Sequence, residues 1–157
     1  MAKYPLTIEG YEKIKAELED LKKVQRPDIV KKIAEARSHG DLSENAEYHA
    51  AREKQSFIEG RIEYLNGVMA DCEAIDPKKL SGDRVLFGAH VTLLDLDSDN
   101  EIQYQLVGEL ESEPEKSKIS VTSPIGAALI GKEIGDEVAV HTPGGVRNYE
   151  IMDVEFK

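Results

Sequence analysis

The sequence predicts an α+β protein: an N-terminal antiparallel α-helical coiled-coil hairpin over residues 1–76, and a small antiparallel-sheet domain with one short helix over residues 77–157. Two observations support this division. Glycine and proline are scarce before Asp76-Pro77 and frequent after it. Apolar residues recur with helical spacing in the first part and alternate in the second. A proline biases the residue before it out of the helical region, so we place the boundary at Asp76.

Two stretches of similar length show helical periodicity, residues 8–39 and 44–75. The first has an apolar stripe at Ile8, Tyr11, Ile14, Leu18, Leu21, Ile29, Ile33 and Ala36. The second has a heptad-type seam at Glu44, Tyr48, Ala51, Gln55, Ile58, Ile62, Leu65, Met69 and Cys72. Two such helices, each about 45–50 Å long, bury their stripes together by folding back as an antiparallel hairpin. Pro27 predicts an interruption within the first helix.

The predicted connection between the helices is Gly40-Asp41-Leu42-Ser43. Gly40 suits the position after a helix end, where the backbone turns left-handed. We predict that Asp41 caps the second helix, with Glu44 three residues on in the spacing of a capping box. Alternatively, both carboxylates face forward and hold a divalent cation. Two carboxylates make only half of such a site, so a partner would have to supply the remaining ligands.

The formal net charge is −11, which excludes a general affinity for duplex DNA or anionic membranes. The basic residues are nevertheless concentrated near the predicted connection. This cluster consists of Lys31, Lys32, Arg37, Arg52 and Lys54. It predicts a weak, salt-sensitive contact with a nucleic-acid backbone. Pairing of the lysines with acids four residues away on the same helix explains them equally well.

The second half contains period-two segments that predict β-strands. These segments are residues 85–87, 89–94, 101–107, 118–121, 137–141 and 149–154. Turn residues lie at 97–100 and at 143–145. Between Ser123 and Gly131 we predict one short helix, with Ser123 as its N-cap and Pro124 as its first residue.

Other function classes find little support in the sequence. The single cysteine, Cys72, excludes a disulfide framework and a thiolate zinc site. His39 and His49 lack the spacing that places two imidazoles on one helix face. No segment approaches the roughly 20 apolar residues of a membrane span or resembles a signal peptide. We therefore expect a cytoplasmic protein with no membrane partner.

The run GDLSENAEYHAAREKQ, residues 40–55, with RPDIVKKIAEAR before it and FIEGRI after it, resembles the coiled-coil tip of the GreA/GreB family of bacterial transcript cleavage factors. Three later segments, FGAHVTLLDLDSD, ISVTSPIGAALIGKEIGDEV and TPGGVRNYEI, resemble the globular half of that family. The resemblance covers nearly the whole chain in the same order. It implies an FKBP-like fold for the second domain.

The resemblance further implies a monomeric, non-enzymatic factor whose FKBP-like domain binds RNA polymerase at the mouth of its secondary channel. The hairpin would then reach the polymerase active site. There Asp41 and Glu44 would stabilise a Mg²⁺ ion shared with the polymerase and position the attacking water. The polymerase would cut the 3′ end of a backtracked nascent RNA. No cofactor bound stably by the chain itself and no small-molecule substrate is implied.

Further residues acquire roles through the same resemblance. Arg37 and Arg52 match a basic patch that contacts the extruded RNA. Ser123 and Pro124 match a loop associated with docking on the polymerase, although a helix cap explains these two residues equally well.

Two other functions stay open. A factor of related architecture could occupy the channel as an inhibitor without promoting cleavage, although the acid pair Asp41 and Glu44 argues against this reading. A plain coiled-coil adaptor would make Mg²⁺ and the acid pair irrelevant.

Overall fold

The computed structural model describes residues 4–41 and 45–157. The chain divides into two compact units, a helical unit of Glu12–Asp71 and a sheet unit that combines Met1–Tyr11 with Cys72–Lys157. The α+β class is confirmed. The observed division differs from the predicted boundary at residue 76, because a strand near the start of the chain pairs with residues just after the second helix. None of the helices in the described ranges is long and apolar enough to cross a membrane.

The helical unit is an antiparallel hairpin, as predicted. Its first arm contains α1 (Ile8–Asp20), a π-helical turn (Leu21–Gln25) and α2 (Arg26–Arg37), and its second arm is α3 (Ala46–Asp71). The π-helical turn confirms the interruption expected at Pro27. Proline has no N–H and its ring crowds the carbonyl four residues earlier, and the wider turn relieves both problems.

Apolar seams on the two arms form the core of the hairpin. The buried side chains are Ile14, Leu21, Ile29, Ile33 and Ala36 on the first arm and Ala51, Ile58, Ile62, Leu65 and Val68 on the second. Val68 thus takes the place predicted for Met69. Two arginine–carboxylate pairs flank the seam, Arg26 with Glu59 at 2.8 Å and Arg61 with Glu17 at 3.1 Å. The order of these partners along the two arms shows that the arms run antiparallel.

A second difference from prediction concerns the end of α3. The helix stops at Asp71, and Cys72–Ile75 forms strand β2, which pairs in parallel with β1 (Tyr4–Thr7). Cys72 was predicted as a helical seam position, and that prediction is wrong. The reason is long-range pairing: Tyr4 lies opposite Cys72 and Thr7 opposite Ile75, a partnership that helical periodicity alone does not reveal.

The sheet unit contains a five-stranded sheet in the order β5-β4-β3-β7-β6. Its strands are β3 (His90–Asp95), β4 (Glu101–Val107), β5 (Lys118–Ser120), β6 (Glu137–Thr142) and β7 (Gly145–Glu155). All neighbouring pairs are antiparallel except β4 and β5, which run in parallel. The sheet is therefore mixed rather than purely antiparallel. The strand predicted at residues 85–87 does not form, and Val85 is instead buried, with its N–H donating to the Lys132 carbonyl at 2.7 Å.

The predicted short helix is confirmed as α4 (Pro124–Leu129), which contacts β5 and β6. Leu129 is completely buried in the core of the sheet unit beside Leu106 and Ile151. The two predicted hairpin turns are also confirmed, between β3 and β4 and between β6 and β7. Gly145 closes the second turn with φ of 119°, a left-handed conformation that glycine adopts without steric cost.

Candidate functional site

The candidate site lies where α2 ends and α3 begins. The N–H groups of Ser38 and His39 donate to the carbonyls of Glu35 and Ala36 at 3.1 and 3.2 Å. Gly40 follows with φ of 107°, which confirms its expected left-handed conformation at the helix end. Asp41 comes next and is exposed. Glu44 lies outside the described residues, so its pairing with Asp41 stays a prediction.

Asn45, and not Asp41, caps helix α3. The Tyr48 N–H donates to Asn45 Oδ1 at 3.0 Å, the bond that an N-cap side chain makes to the third helical residue. Because α3 begins at Ala46, Asp41 is too far from the helix to cap it. The prediction that Asp41 is the N-cap of this helix is therefore wrong. Glu44, the other member of the predicted capping box, lies outside the described residues.

The amide of Asn45 also joins the two arms of the hairpin. Its Nδ2 donates to the carbonyl oxygen of Ala36 at 2.7 Å. Ala36 lies in the last turn of α2, so one side chain bonds both helix ends beside the connection. Sequence reasoning missed Asn45, although an asparagine directly before a helical run is a recognised N-cap signal.

The predicted RNA contacts, Arg37 and Arg52, are both exposed. The guanidinium of Arg37 lies over the ring of Tyr48, 5.9 Å from its centroid, a cation–π contact that restricts the arginine without neutralising it. Arg52 is four residues after Tyr48 in α3, so it lies one turn further along the same helix face. In the part of the chain that the structure describes, neither arginine forms an ion pair.

Two lysines of the basic cluster, Lys32 and Lys54, line a groove between α2 and α3. The groove has a volume of about 360 Å³, and Ile29, Ala36 and Ala51 also line it. The alternative of pairing within a helix fails: within residues 4–41 and 45–157, neither Lys31 nor Lys32 has a carboxylate within ion-pair distance. These cations are available to a partner.

The described residues contain no group of three or more His, Cys, Asp or Glu side chains arranged to hold a metal ion. Asp41 is therefore not part of a complete metal site formed by the described residues alone. That Asp41 and Glu44 share a cation with a partner stays a prediction.

Ser123 is the N-cap of α4, as predicted. Its Oγ accepts the Gly126 N–H at 3.0 Å and donates to the Ser120 carbonyl at 2.7 Å. The cap thus accounts fully for the hydroxyl of Ser123. Pro124 and Thr122 are exposed beside it and present a surface that the cap holds in place.

An apolar patch in the sheet unit was not predicted. Leu86, Ile130 and Ile134 are 36%, 39% and 40% exposed. Backbone hydrogen bonds bring their segments together, because the Ile134 N–H donates to the Asp83 carbonyl at 3.1 Å and the Gly131 N–H donates to the Val85 carbonyl at 2.8 Å. Three large aliphatic side chains are thus exposed on neighbouring segments of the sheet unit.

Two family models match the chain, one on each side of the predicted domain boundary. The model described as transcription elongation factor, N-terminal, matches residues 4–73. The model described as transcription elongation factor, GreA/GreB, C-terminal, matches residues 80–156.

Individual relatives resemble the chain over its whole length. It is 58% identical over 156 residues to transcription elongation factor GreA of Ruegeria pomeroyi, with 99% of each chain covered. It is 55% identical over 153 residues to transcription elongation factor GreA of Thermodesulfovibrio yellowstonii, covering 98% of this chain and 97% of the relative. A solved structure of GreA factor homolog 1 from Thermus thermophilus is 27% identical, with a TM-score of 0.43 and coverage of 96% and 97%. The two family models and the two GreA relatives show that the chain belongs to the GreA/GreB family of transcription elongation factors.

Proposed function

We propose that this factor binds RNA polymerase through the secondary channel and stimulates the polymerase's own cleavage of the 3′ end of backtracked nascent RNA. Cleavage leaves a new 3′ end that the polymerase extends, so arrested complexes resume transcription. The observation that carries this proposal is the exposed carboxylate of Asp41 in the connection between two long helices, beside arginines that have no carboxylate partner among the described residues. Membership of a family of transcription elongation factors supports it.

The chain supplies part of a catalytic site rather than a whole one. The Asp41 side chain offers the hard oxygen ligands that Mg²⁺ prefers, and Glu44 adds a second carboxylate to the same short connection. The polymerase and the RNA phosphate provide the remaining ligands. Mg²⁺, when bound, polarises the phosphate and lowers the pKa of a coordinated water. The role of the chain is to hold its two carboxylates in place and to orient that water, which makes it a non-enzymatic stimulator of the polymerase.

Arg37 and Arg52 bind the phosphates of the backtracked RNA. Arg37 is restricted by the ring of Tyr48, so little side-chain entropy is lost when it contacts a phosphate. Each phosphate contact of this kind adds about 0.7 to the steepness with which the logarithm of the binding constant for a single strand falls with the logarithm of the salt concentration. Replacing either arginine by alanine should therefore make this slope shallower by about 0.7.

Docking on the polymerase involves the exposed start of α4 in the sheet unit. Pro124 is exposed while the cap of Ser123 fixes the backbone beneath it. The neighbouring residues of the same unit include the partly exposed Ile130. An apolar surface on a rigid support suits contact with a protein rather than with nucleic acid.

The decisive experiment uses a halted, backtracked elongation complex with end-labelled RNA. Cleavage is followed with wild-type factor, Asp41→Asn, Glu44→Gln, and a charge-matched control, Asp99→Asn, in the exposed turn between β3 and β4. We expect each connection variant to reduce the cleavage rate by at least the roughly 10–100-fold that loss of a supporting metal contact costs. Affinity for polymerase and the activity of the control should stay unchanged.

Wild-type rates in the Asp41→Asn, Glu44→Gln double variant would refute the proposal. If the wild-type factor binds polymerase and blocks it without any cleavage, the inhibitor alternative is correct. Polymerase binding without an effect on cleavage or elongation would instead identify an adaptor.

A further inference from the structure

One side chain, that of Asn45, joins the two helix ends on either side of the connection that contains Asp41 and Glu44. Asn45 Oδ1 accepts the N–H of Tyr48 at 3.0 Å, and Asn45 Nδ2 donates to the carbonyl of Ala36 at 2.7 Å. The first bond belongs to the start of α3 and the second to the last turn of α2. One bond uses the oxygen of the planar amide and the other its nitrogen, so together they fix the rotation of the amide as well as its position.

A second contact joins the same two helix ends. Arg37, the last residue of α2, lies over the ring of Tyr48 in the first turn of α3. Tyr48 therefore bonds Asn45 through its backbone and contacts Arg37 through its ring. We call Asn45 and Tyr48 together the base clamp.

We propose that Asn45 is a positioning residue for the connection that carries the acid pair: the base clamp fixes the ends of α2 and α3 from which this connection leaves, and thereby holds Asp41 relative to Arg37. This inference rests on the proposed function. The position of these helix ends affects the rate of RNA cleavage, because a displacement of about 1 Å at a reacting centre lowers the rate of the reaction by up to roughly 10²-fold. Few residues other than asparagine supply a planar donor and acceptor in one short side chain.

Two substitutions separate positioning from helix capping. Asn45→Asp and Asn45→Ser both keep an oxygen that caps α3. Aspartate lacks the donor for the Ala36 carbonyl, and the serine hydroxyl is too short to bond both partners. Serine adds no charge, so it controls for the extra carboxylate of aspartate. A matched control is Asn66→Ala, which removes another hydrogen bond between the two arms, from Lys22 Nζ to Asn66 Oδ1 at 3.1 Å, away from the connection.

The first measurement is made on the isolated, full-length factor. Amide hydrogen exchange of the peptide covering residues 37–45 should accelerate about fivefold to tenfold in both Asn45 variants, the equivalent of one lost hydrogen bond. The same peptide should be unchanged in Asn66→Ala. The thermal midpoint of all three variants should stay close to that of the wild type.

The second measurement is cleavage in the halted complex at saturating factor, across a range of Mg²⁺ concentrations. We expect both Asn45 variants to cleave at least about tenfold more slowly, to need more Mg²⁺ for half-maximal rate, and to bind polymerase as the wild type does. Wild-type exchange or wild-type Mg²⁺ dependence in Asn45→Ser overturns the inference. If Asp41→Asn and Glu44→Gln also cleave normally, the proposed function itself has failed. If those two lose cleavage while Asn45→Ser keeps it, only the inference has failed.

Discussion

Adding one methyl group to a glycine should have opposite effects in the two units. Gly126 lies in α4 against the segment that follows β5, and a Cβ at this position would fall on the carbonyl oxygen of Ser120 and 3.0 Å from Val121 Cα. These are backbone atoms, which cannot rotate aside. Gly67 lies in the interior of α3 and is exposed to solvent. Apart from its chain neighbours and the backbone of its own helix, no described atom lies within 4 Å of the position that a Cβ would take.

For Gly126→Ala, forced overpacking costs about 1–3 kcal/mol. Moving α4 away from Ser120 also weakens the Ser123 cap, whose loss costs about 1 kcal/mol. We therefore expect the sheet unit to lose about 2–4 kcal/mol of unfolding free energy. At about 4–8 °C per kcal/mol for a domain of this size, its thermal midpoint falls by about 8–32 °C. Gly67→Ala should instead stabilise the helical unit by about 0.5–1 kcal/mol, because alanine has the higher helix propensity.

Differential scanning calorimetry of the full chain measures both effects. The Gly126→Ala transition should shift down and the Gly67→Ala transition slightly up. A Gly126→Ala protein that unfolds at or above the wild-type temperature would show that α4 does not pack on β5 as closely as described, and would refute the reasoning.

Three further predictions concern other contacts. The pKa of Asp95 is lowered chiefly by the N–H of Asp97, with help from Ser98 and the charge of Arg147. A lowered carboxylate pKa contributes stability that begins to be lost as the pH falls below about 4, so urea unfolding should show Asp95→Asn to be less stable than wild type at pH 7, with a difference that shrinks as the pH is lowered below about 4. Leu65 is completely buried in the hairpin, and Leu65→Ala should lower the unfolding free energy of the helical unit by about 3–5 kcal/mol in denaturant titrations. If the sheet unit lost as much stability as the helical unit, the placement of Leu65 in the core of the hairpin would be wrong. Thr7 Oγ1 accepts the Gly10 N–H at 3.0 Å and donates to Glu111. In the same denaturant titrations, Thr7→Val should lower the unfolding free energy of the sheet unit by about 1–3 kcal/mol, whereas Thr7→Ser, which keeps the hydroxyl, should lower it much less.

The hairpin was predictable because its signal is local. The seam positions Ile58, Ile62 and Leu65 are spaced by three and four residues and are all buried, and Pro27 marked the interruption through its missing N–H. The strand registers of the sheet were not predictable in the same way. Residues 85–87 alternate as a strand would, yet they form no strand, and only the preceding residue, Arg84, forms an isolated bridge, with Glu133.

The site shows the same contrast. Sequence pattern located the connection and the arginines beside it, but it assigned the helix cap to Asp41 when the cap is Asn45. Both residue types are good N-caps, and the choice depended on where the helix starts. That start is fixed partly by the bond of Asn45 to Ala36, a residue on the opposite arm.

Local sequence patterns were enough to predict the α+β class, the two long helical stretches, the charged connection between them and the family, because periodicity, turn residues and motifs depend only on neighbours along the chain. Long-range contacts set where α3 ends, which strands pair, which side chain caps the helix and where apolar side chains stay exposed. Each of these is set by a contact between residues distant in sequence, such as β1 with β2 or Glu111 with Thr7, and such contacts leave no periodic trace in either segment.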